Sequence, residues 1–256
     1  MGRARLVVLA AFVIGVVGCT PSSRAPDDDD DTAAIVGDDL ADSERPGVVA
    51  LEIRKAEGLF TCTGTLIGRH TVVTARHCLA GATDGDRCDV VVLVDRAGRG
   101  TFDPATPRFP ATRCHLREAR AVLDADDDIA TIGLAEGVSD VALAELASAT
   151  PSSGPFTVYG YGSFGAAPRF GTRCGAKSDG HKRKATYDGS FAIRFAQSTC
   201  PGDSGGPHFL GATSLLIGLT SAGFAAGAAY ELNTPIAPHR RWLVDRLADY
   251  GDAAEP

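Results

Sequence analysis

The sequence predicts an all-β protein of two barrels with one C-terminal helix. Short apolar runs bounded by Gly, Asp or Arg recur along the chain, as strands separated by turns do. The same texture resumes after a Pro- and Ser-rich stretch midway, and one clear helical pattern appears near the end. Thirty Gly against five Tyr and one Met suit a turn-rich fold, and 256 residues can bury a sizeable core.

Taken in order, residues 1–18 read as an export signal. Arg3 and Arg5 supply a basic start, and residues 6–17 form an unbroken apolar run too short to span a bilayer comfortably. The run ends in Val16, Val17, Gly18 and Cys19, which resembles the lipobox of bacterial lipoproteins. That resemblance implies cleavage before Cys19 and a lipid on its sulfur, a tether rather than a span. An ordinary export signal cut near a cysteine is the alternative. Setting Cys19 aside leaves six of seven cysteines, and six can all pair in an oxidising compartment. Residues 19–34 include five consecutive Asp with almost nothing to bury, and read as an acidic linker or propeptide. Adjacent Asp residues lack the spaced ligands and turn glycine of a calcium loop.

From Ile35 the chain turns apolar in short bursts. Residues 47–53, 61–67, 70–74, 90–94 and 129–134 read as strands of a first barrel spanning about 35–150. Residues 148–155 read as a connector. Residues 156–160, 190–195 and 215–221 read as strands of a second barrel spanning about 151–237. A helix is expected over 238–250, with Pro238 near its start and Trp242, Leu243, Arg246, Leu247 and Tyr250 along one face.

The formal net charge is −7 and no basic stripe stands out, which argues against nucleic acid as a partner. The short basic run at 181–184 reads as a solvated loop. No cluster with metal-ligand spacing and no phosphate-binding glycine loop is present, so no metal and no cofactor are expected.

Three segments carry chemistry when taken together: Thr74-Ala-Arg-His-Cys78, Asp126-Asp-Asp-Ile-Ala-Thr-Ile132 and Cys200-Pro-Gly-Asp-Ser-Gly-Gly-Pro207. A serine hydroxyl is a poor nucleophile at neutral pH and needs a base to take its proton. Histidine suits that task, and a buried carboxylate on its other nitrogen fixes the tautomer. The candidates are Ser204 as nucleophile, His77 as base and Asp128 as orienting carboxylate. Glycines around Ser204 let the amides of Gly202 and Ser204 point at one spot as an oxyanion hole.

These segments resemble the histidine, aspartate and serine motifs of the chymotrypsin/trypsin family, itself the worked template for triad chemistry. Residues 62–67 resemble the strand carrying the histidine-loop cysteine, which implies a Cys62–Cys78 disulfide. Residues 158–162 look like the strand that opens the second barrel, and residues 221–223 like the segment pairing with substrate backbone through Ser221 and Gly223. Trp242 sits where the family keeps a tryptophan. The resemblance covers roughly residues 35–250. It implies two six-stranded antiparallel barrels and peptide-bond hydrolysis through an acyl-enzyme.

Ile35-Val-Gly-Asp38 resembles the activation sequence of the same family. The resemblance implies a zymogen cut between Ala34 and Ile35 by an activating protease, with the freed amine pairing Asp203. Neither partner of such a buried pair is cheap to bury alone. That cut would also sever any lipid tether, so the expected location is the cell envelope or, after cleavage, the medium. A first strand with no cut is the alternative. In the family it resembles, the specificity pocket is set largely by the residue six before the nucleophile, here Ser198, which implies a small or apolar side chain before the scissile bond. Glu231, near the far wall of the same pocket, could restore a basic preference. Cys200 has no downstream partner, so Cys88–Cys114 and Cys174–Cys200 are suggested, with the pairing of these four open. Protein or peptide substrates and a monomer are expected. A catalytically silent binding protein on the same fold is the competing function.

Overall fold

The structure is a computed structural model of the chain. It describes residues 41, 44–45, 47–84, 87–95, 105–118, 125–162, 180–191, 193–194, 199–226 and 228–252, with 84, 193–194, 223–226 and 228–231 described by backbone alone. The first half contains β1 (Val48–Lys55), β2 (Gly58–Leu66), β3 (Thr71–Thr74), α1 (Arg76–Leu79), β4 (Thr83–Asp84), β5 (Arg87–Cys88), β6 (Val90–Leu93), β7 (Arg108–Leu116) and β8 (Ala130–Leu134). The second contains β9 (Glu145–Leu146), β10 (Ser153–Gly160), β11 (Arg183–Ser190), β12 (Ile193–Arg194), β13 (Pro207–Leu210), β14 (Leu215–Ala226) and β15 (Ala228–Pro235), followed by α2 (Arg240–Tyr250).

Alternation explains the first sheet. Along β1, Val49, Leu51 and Ile53 point into one apolar cluster with Leu66, Val72, Val92 and Ile132, while Val48 and Ala50 point the other way into a second cluster. Both faces of its first half are therefore dry, and the strand reads as a continuous apolar run. The strands close in the order β1-β2-β3-β8-β7-β6, a six-stranded antiparallel barrel. Closure leaves no unpaired edge. The second sheet runs β11-β10-β13-β14-β15-β12, all antiparallel, with β9 added in parallel to β14. Phe156, Phe191 and Ile217 fill one of its faces. The second cluster joins Val48, Ala50 and Val73 of the first sheet to Tyr159, Phe209 and Leu219 of the second, so the two sheets pack on each other.

Helix α2 buries Leu243, Leu247 and Tyr250, with Trp242 packed beside them. It ends at Gly251, whose φ of 87° is the left-handed C-cap that glycine favours. Asp252 then accepts hydrogen bonds from the His70 N–H at 2.9 Å and the Thr71 hydroxyl at 2.6 Å, latching the terminus to the head of β3. Among the described residues no helix is long and apolar enough to cross a membrane.

Several local expectations shift. The connector is shorter, because Ser153 already begins β10. The expected strand at 190–195 is divided between the end of β11 and the short β12. The basic run at 181–184 is not a solvated loop: Lys182 and Arg183 are buried and Arg183 opens β11. The Lys182 ammonium donates to the Arg45 carbonyl, and Lys184 pairs with Glu44 at 2.6 Å. Glu44 sits below its usual carboxyl value chiefly because of the Lys184 hydrogen bond, opposed by partial burial. The run therefore moors the chain before β1 onto the second sheet.

Candidate active site

The nucleophile candidate sits in a turn that only particular residues can make. Gly202 and Gly205 lie at φ values of 105° and 79°, in the left-handed region. A Cβ at Gly205 would fall on the Thr74 hydroxyl and the Thr63 carbonyl, so the turn also abuts the first barrel too closely for a side chain. Asp203 is buried, and its carboxylate accepts the N–H groups of Gly162 and Cys200, each at 2.7 Å. Among the described residues neither the Gly202 nor the Ser204 N–H donates a hydrogen bond.

His77 lies in α1, the single turn that follows β3, and is fixed from behind by the Cys62–Cys78 disulfide. Asp128 follows a 3-10 turn at Ala125–Asp127 and precedes β8. The Asp128 carboxylate accepts three hydrogen bonds: from His77 Nδ1 at 2.7 Å, the His77 backbone N–H at 2.8 Å and the Ser221 hydroxyl at 2.6 Å. Burial is the largest single influence on this carboxyl and raises it. The His77 ring, its charge, the Ser221 hydroxyl and the His77 N–H together outweigh burial and hold it below the ordinary carboxylate value. Asp128 is thus an anion at neutral pH, with 9% of its surface exposed.

With Nδ1 committed to Asp128, Nε2 is the nitrogen that faces outward, and the His77 side chain is 44% exposed. His77 Nε2 lies 3.9 Å from the Cys78 sulfur, which in turn lies 3.7 Å from the Ser204 carbonyl oxygen. His77 and Ser204 therefore flank one sulfur, but no hydrogen bond joins Nε2 to Ser204 Oγ. Such contacts often tighten only when substrate is bound.

The structure brings together His77, Asp128, Ser204, Gly202, Asp203 and Ser221. Gly223 and Glu231 are opposed across β14 and β15, described by backbone alone. Ile35, Ser198, Cys19 and Cys174 lie outside the described residues. Cys88 is joined to Cys114. Cys200 is disulfide-bonded, to a partner outside the described residues.

Sequence reasoning missed several groups. Ser221, expected against substrate backbone, also gives its hydroxyl to Asp128, 93 residues away. The Thr234 hydroxyl donates to the carbonyls of Ala125 and Asp128, and the buried His239 ring contacts the Asp126 carbonyl at 2.6 Å. These hold the turn that presents Asp128. No local motif marks them, because each acts across 93 or more residues.

The Trypsin family model matches residues 34–243. The chain is similar to trypsin theta of Drosophila erecta, 26% identical with 94% of each chain covered, and to trypsin delta of Drosophila melanogaster, 26% identical with 93% of this chain and 97% of the relative covered. Among solved structures it resembles neuropsin, a serine protease expressed in the limbic system of mouse brain (TM-score 0.60, 20% identity, 82% of this chain and 99% of that one). It also resembles the scabies mite inactivated protease paralogue S-I1 (TM-score 0.64, 18% identity, 83% and 99%). The fold and the site define a chymotrypsin-like protease scaffold, and the chain belongs to the trypsin-like serine protease family.

Proposed function

We propose that this protein is a serine endopeptidase in which Ser204, His77 and Asp128 act as the triad. The observation that carries the reading is the Asp128 carboxylate, buried, ionised and bound to both the ring and the backbone of His77. Ser204 Oγ attacks the scissile carbonyl carbon as His77 Nε2 takes the hydroxyl proton. Asp128 holds the ring tautomer and stabilises the imidazolium. The uncommitted N–H groups of Gly202 and Ser204 receive the oxyanion. His77 then gives its proton to the departing amine, leaving an ester on Ser204. Water, activated by the same ring, hydrolyses that ester and regenerates the hydroxyl.

Within this reading the chain is made as a zymogen, cut between Ala34 and Ile35 so that the new amine reaches Asp203. Paired cysteines support an exported protein, and Cys19 would carry the lipid tether until the cut. Gly223 and Ser221 bound the substrate strand, while Ser198 and Glu231 set the residue preference.

A fluorophosphonate probe tests the reading on the full chain before and after cleavage ahead of Ile35. The expected result is one adduct, on Ser204 after cleavage, absent from Ser204→Ala. A processed chain that takes no probe overturns the peptidase reading and leaves a silent binding protein on a protease fold.

A further inference from the structure

We infer that Thr63, a residue outside the triad and the oxyanion hole, is a positioning residue that sets the oxyanion turn; the inference rests on the peptidase reading above. Thr63 is fully buried on β2, on the side of the first barrel that meets the nucleophile turn. Each of its polar groups is committed across that boundary or to its neighbour. The hydroxyl donates to the Gly202 carbonyl at 2.8 Å and accepts the Tyr161 N–H at 3.0 Å. The backbone N–H donates to the Ser204 carbonyl at 2.9 Å, and the carbonyl accepts the Thr74 hydroxyl at 2.7 Å.

The geometry explains why this matters to an oxyanion. The Gly202–Asp203 peptide plane is held from both sides, its carbonyl by Thr63 and its N–H by the Cys200 carbonyl at 2.9 Å. Thr63 also holds the next carbonyl that faces it, that of Ser204. The two N–H groups left uncommitted are those of Gly202 and Ser204, the expected oxyanion donors. Gly202 at φ 105° has a wide conformational range, so a glycine in this place is set by its partners rather than by its own torsions. Among the described residues the Thr63 hydroxyl is the sole hydrogen-bond donor to the Gly202 carbonyl. The Gly202–Asp203 plane links the Pro201–Gly202 and Asp203–Ser204 peptides, which carry the Gly202 and Ser204 N–H groups. Removing the Thr63 hydroxyl therefore loosens the link that sets the relative aim of the two donors.

Thr63→Val keeps shape and deletes the hydroxyl; Thr63→Ser keeps the hydroxyl and deletes the methyl. The readout is fluorophosphonate labelling of the processed chain, resolved into a maximal rate and a binding constant. In that step Ser204 Oγ bonds to phosphorus, fluoride leaves, the hydroxyl proton passes to His77, and the phosphoryl oxygen enters the oxyanion site. Thr63→Val is expected to lower the maximal rate about tenfold with little change in binding, short of the roughly 10²–10³-fold seen when an oxyanion donor is itself deleted. Thr63→Ser is expected to restore the rate. Should Thr63→Val fail to fold, Thr63→Ala, which leaves room for a bridging water, is expected to slow labelling several-fold. A wild-type rate in Thr63→Val or Thr63→Ala, a loss confined to binding, or a loss that Thr63→Ser does not restore overturns the inference while the peptidase reading stands. A wild-type chain that takes no probe removes both.

Discussion

Ser221→Ala removes one of three donors to a buried anion, and its cost follows from what remains. The hydroxyl donates to Asp128 Oδ2 at 2.6 Å, and Asp128 is 9% exposed, so water cannot easily replace it. A hydrogen bond to a charged group contributes roughly 1.5–3 kcal/mol, so the variant should lose about 2 kcal/mol at pH 7. The pH dependence has a definite sign. The folded carboxyl lies below its unfolded value, so its stabilisation is fully present above the unfolded value of about 3.9 and is lost as pH falls through the lower folded value. Without Ser221 the carboxyl moves back up and part of that stabilisation is missing. The gap between parent and variant should therefore narrow on acidification, from about 2 kcal/mol at pH 7 toward about 1 kcal/mol or less once the folded carboxyl is protonated and only a neutral hydrogen bond is at stake. Urea unfolding in a Ser204→Ala background, which prevents self-digestion, measures both ends with disulfides intact. A gap absent at pH 7, or one that does not narrow as the pH is lowered through the titration of the folded carboxyl, would refute the assignment of Ser221 to the Asp128 anion.

Thr234→Val deletes the hydroxyl that donates to Ala125 at 2.7 Å and Asp128 at 3.3 Å, so unfolding should ease by about 1–2 kcal/mol and probe labelling of Ser204 should slow. An unchanged labelling rate would mean the Asp128 turn is held by other contacts. Asp252→Ala breaks the latch to His70 and Thr71 and should lower Tm by several degrees, at about 2–4 °C per kcal/mol, with labelling unaffected. Replacing Cys88 and Cys114 together by Ser opens a 26-residue separation and should cost about 3.5 kcal/mol in urea unfolding, a figure for chain entropy alone.

The first barrel was largely legible because its strands bury one or both faces and so read as apolar runs. β3, β6 and β8 fall within expected segments, while β1 and β2 overlap theirs but extend on to Lys55 and back to Gly58. β7 was not legible: Arg108, Pro110, Thr112 and Arg113 break its apolar pattern, and only Phe109 and Cys114 of its side chains are fully buried. β11 was hidden for a related reason, since Arg183 and Lys184 read as solvent-facing until Glu44 supplies a partner from outside the sheet. β13 and β15 were obscured by Gly, Pro and polar neighbours. The site divides in the same way. His77, Asp128 and Ser204 carry local motifs because each needs a particular backbone turn beside it. Ser221, Thr234 and Thr63 are ordinary hydroxyl residues in strands, and only the pairing of distant strands makes them partners of the site.

Those hydroxyls share a location that bears on what holds the site together. The apolar clusters supply most of the drive to bring the two sheets into contact, but an apolar contact is non-directional and tolerates sliding. Thr63, Ser221 and Thr234 cross the same boundary with directed bonds, among them those to Gly202, Asp128 and Ala125. Each adds on the order of 1 kcal/mol when made and costs more when a buried partner is left unmatched. A slide of one sheet by a single residue would strand every one of them together. The polar contacts therefore contribute modestly to how strongly the halves associate and heavily to which register they adopt. That register is the one in which a carboxylate carried on the first barrel finds a hydroxyl on β14, and a turn of the second sheet finds Thr63. Neutral hydroxyls suit this task better than ion pairs, because they discriminate between registers without the desolvation cost of added charge beside an anion whose ionised state the chemistry needs.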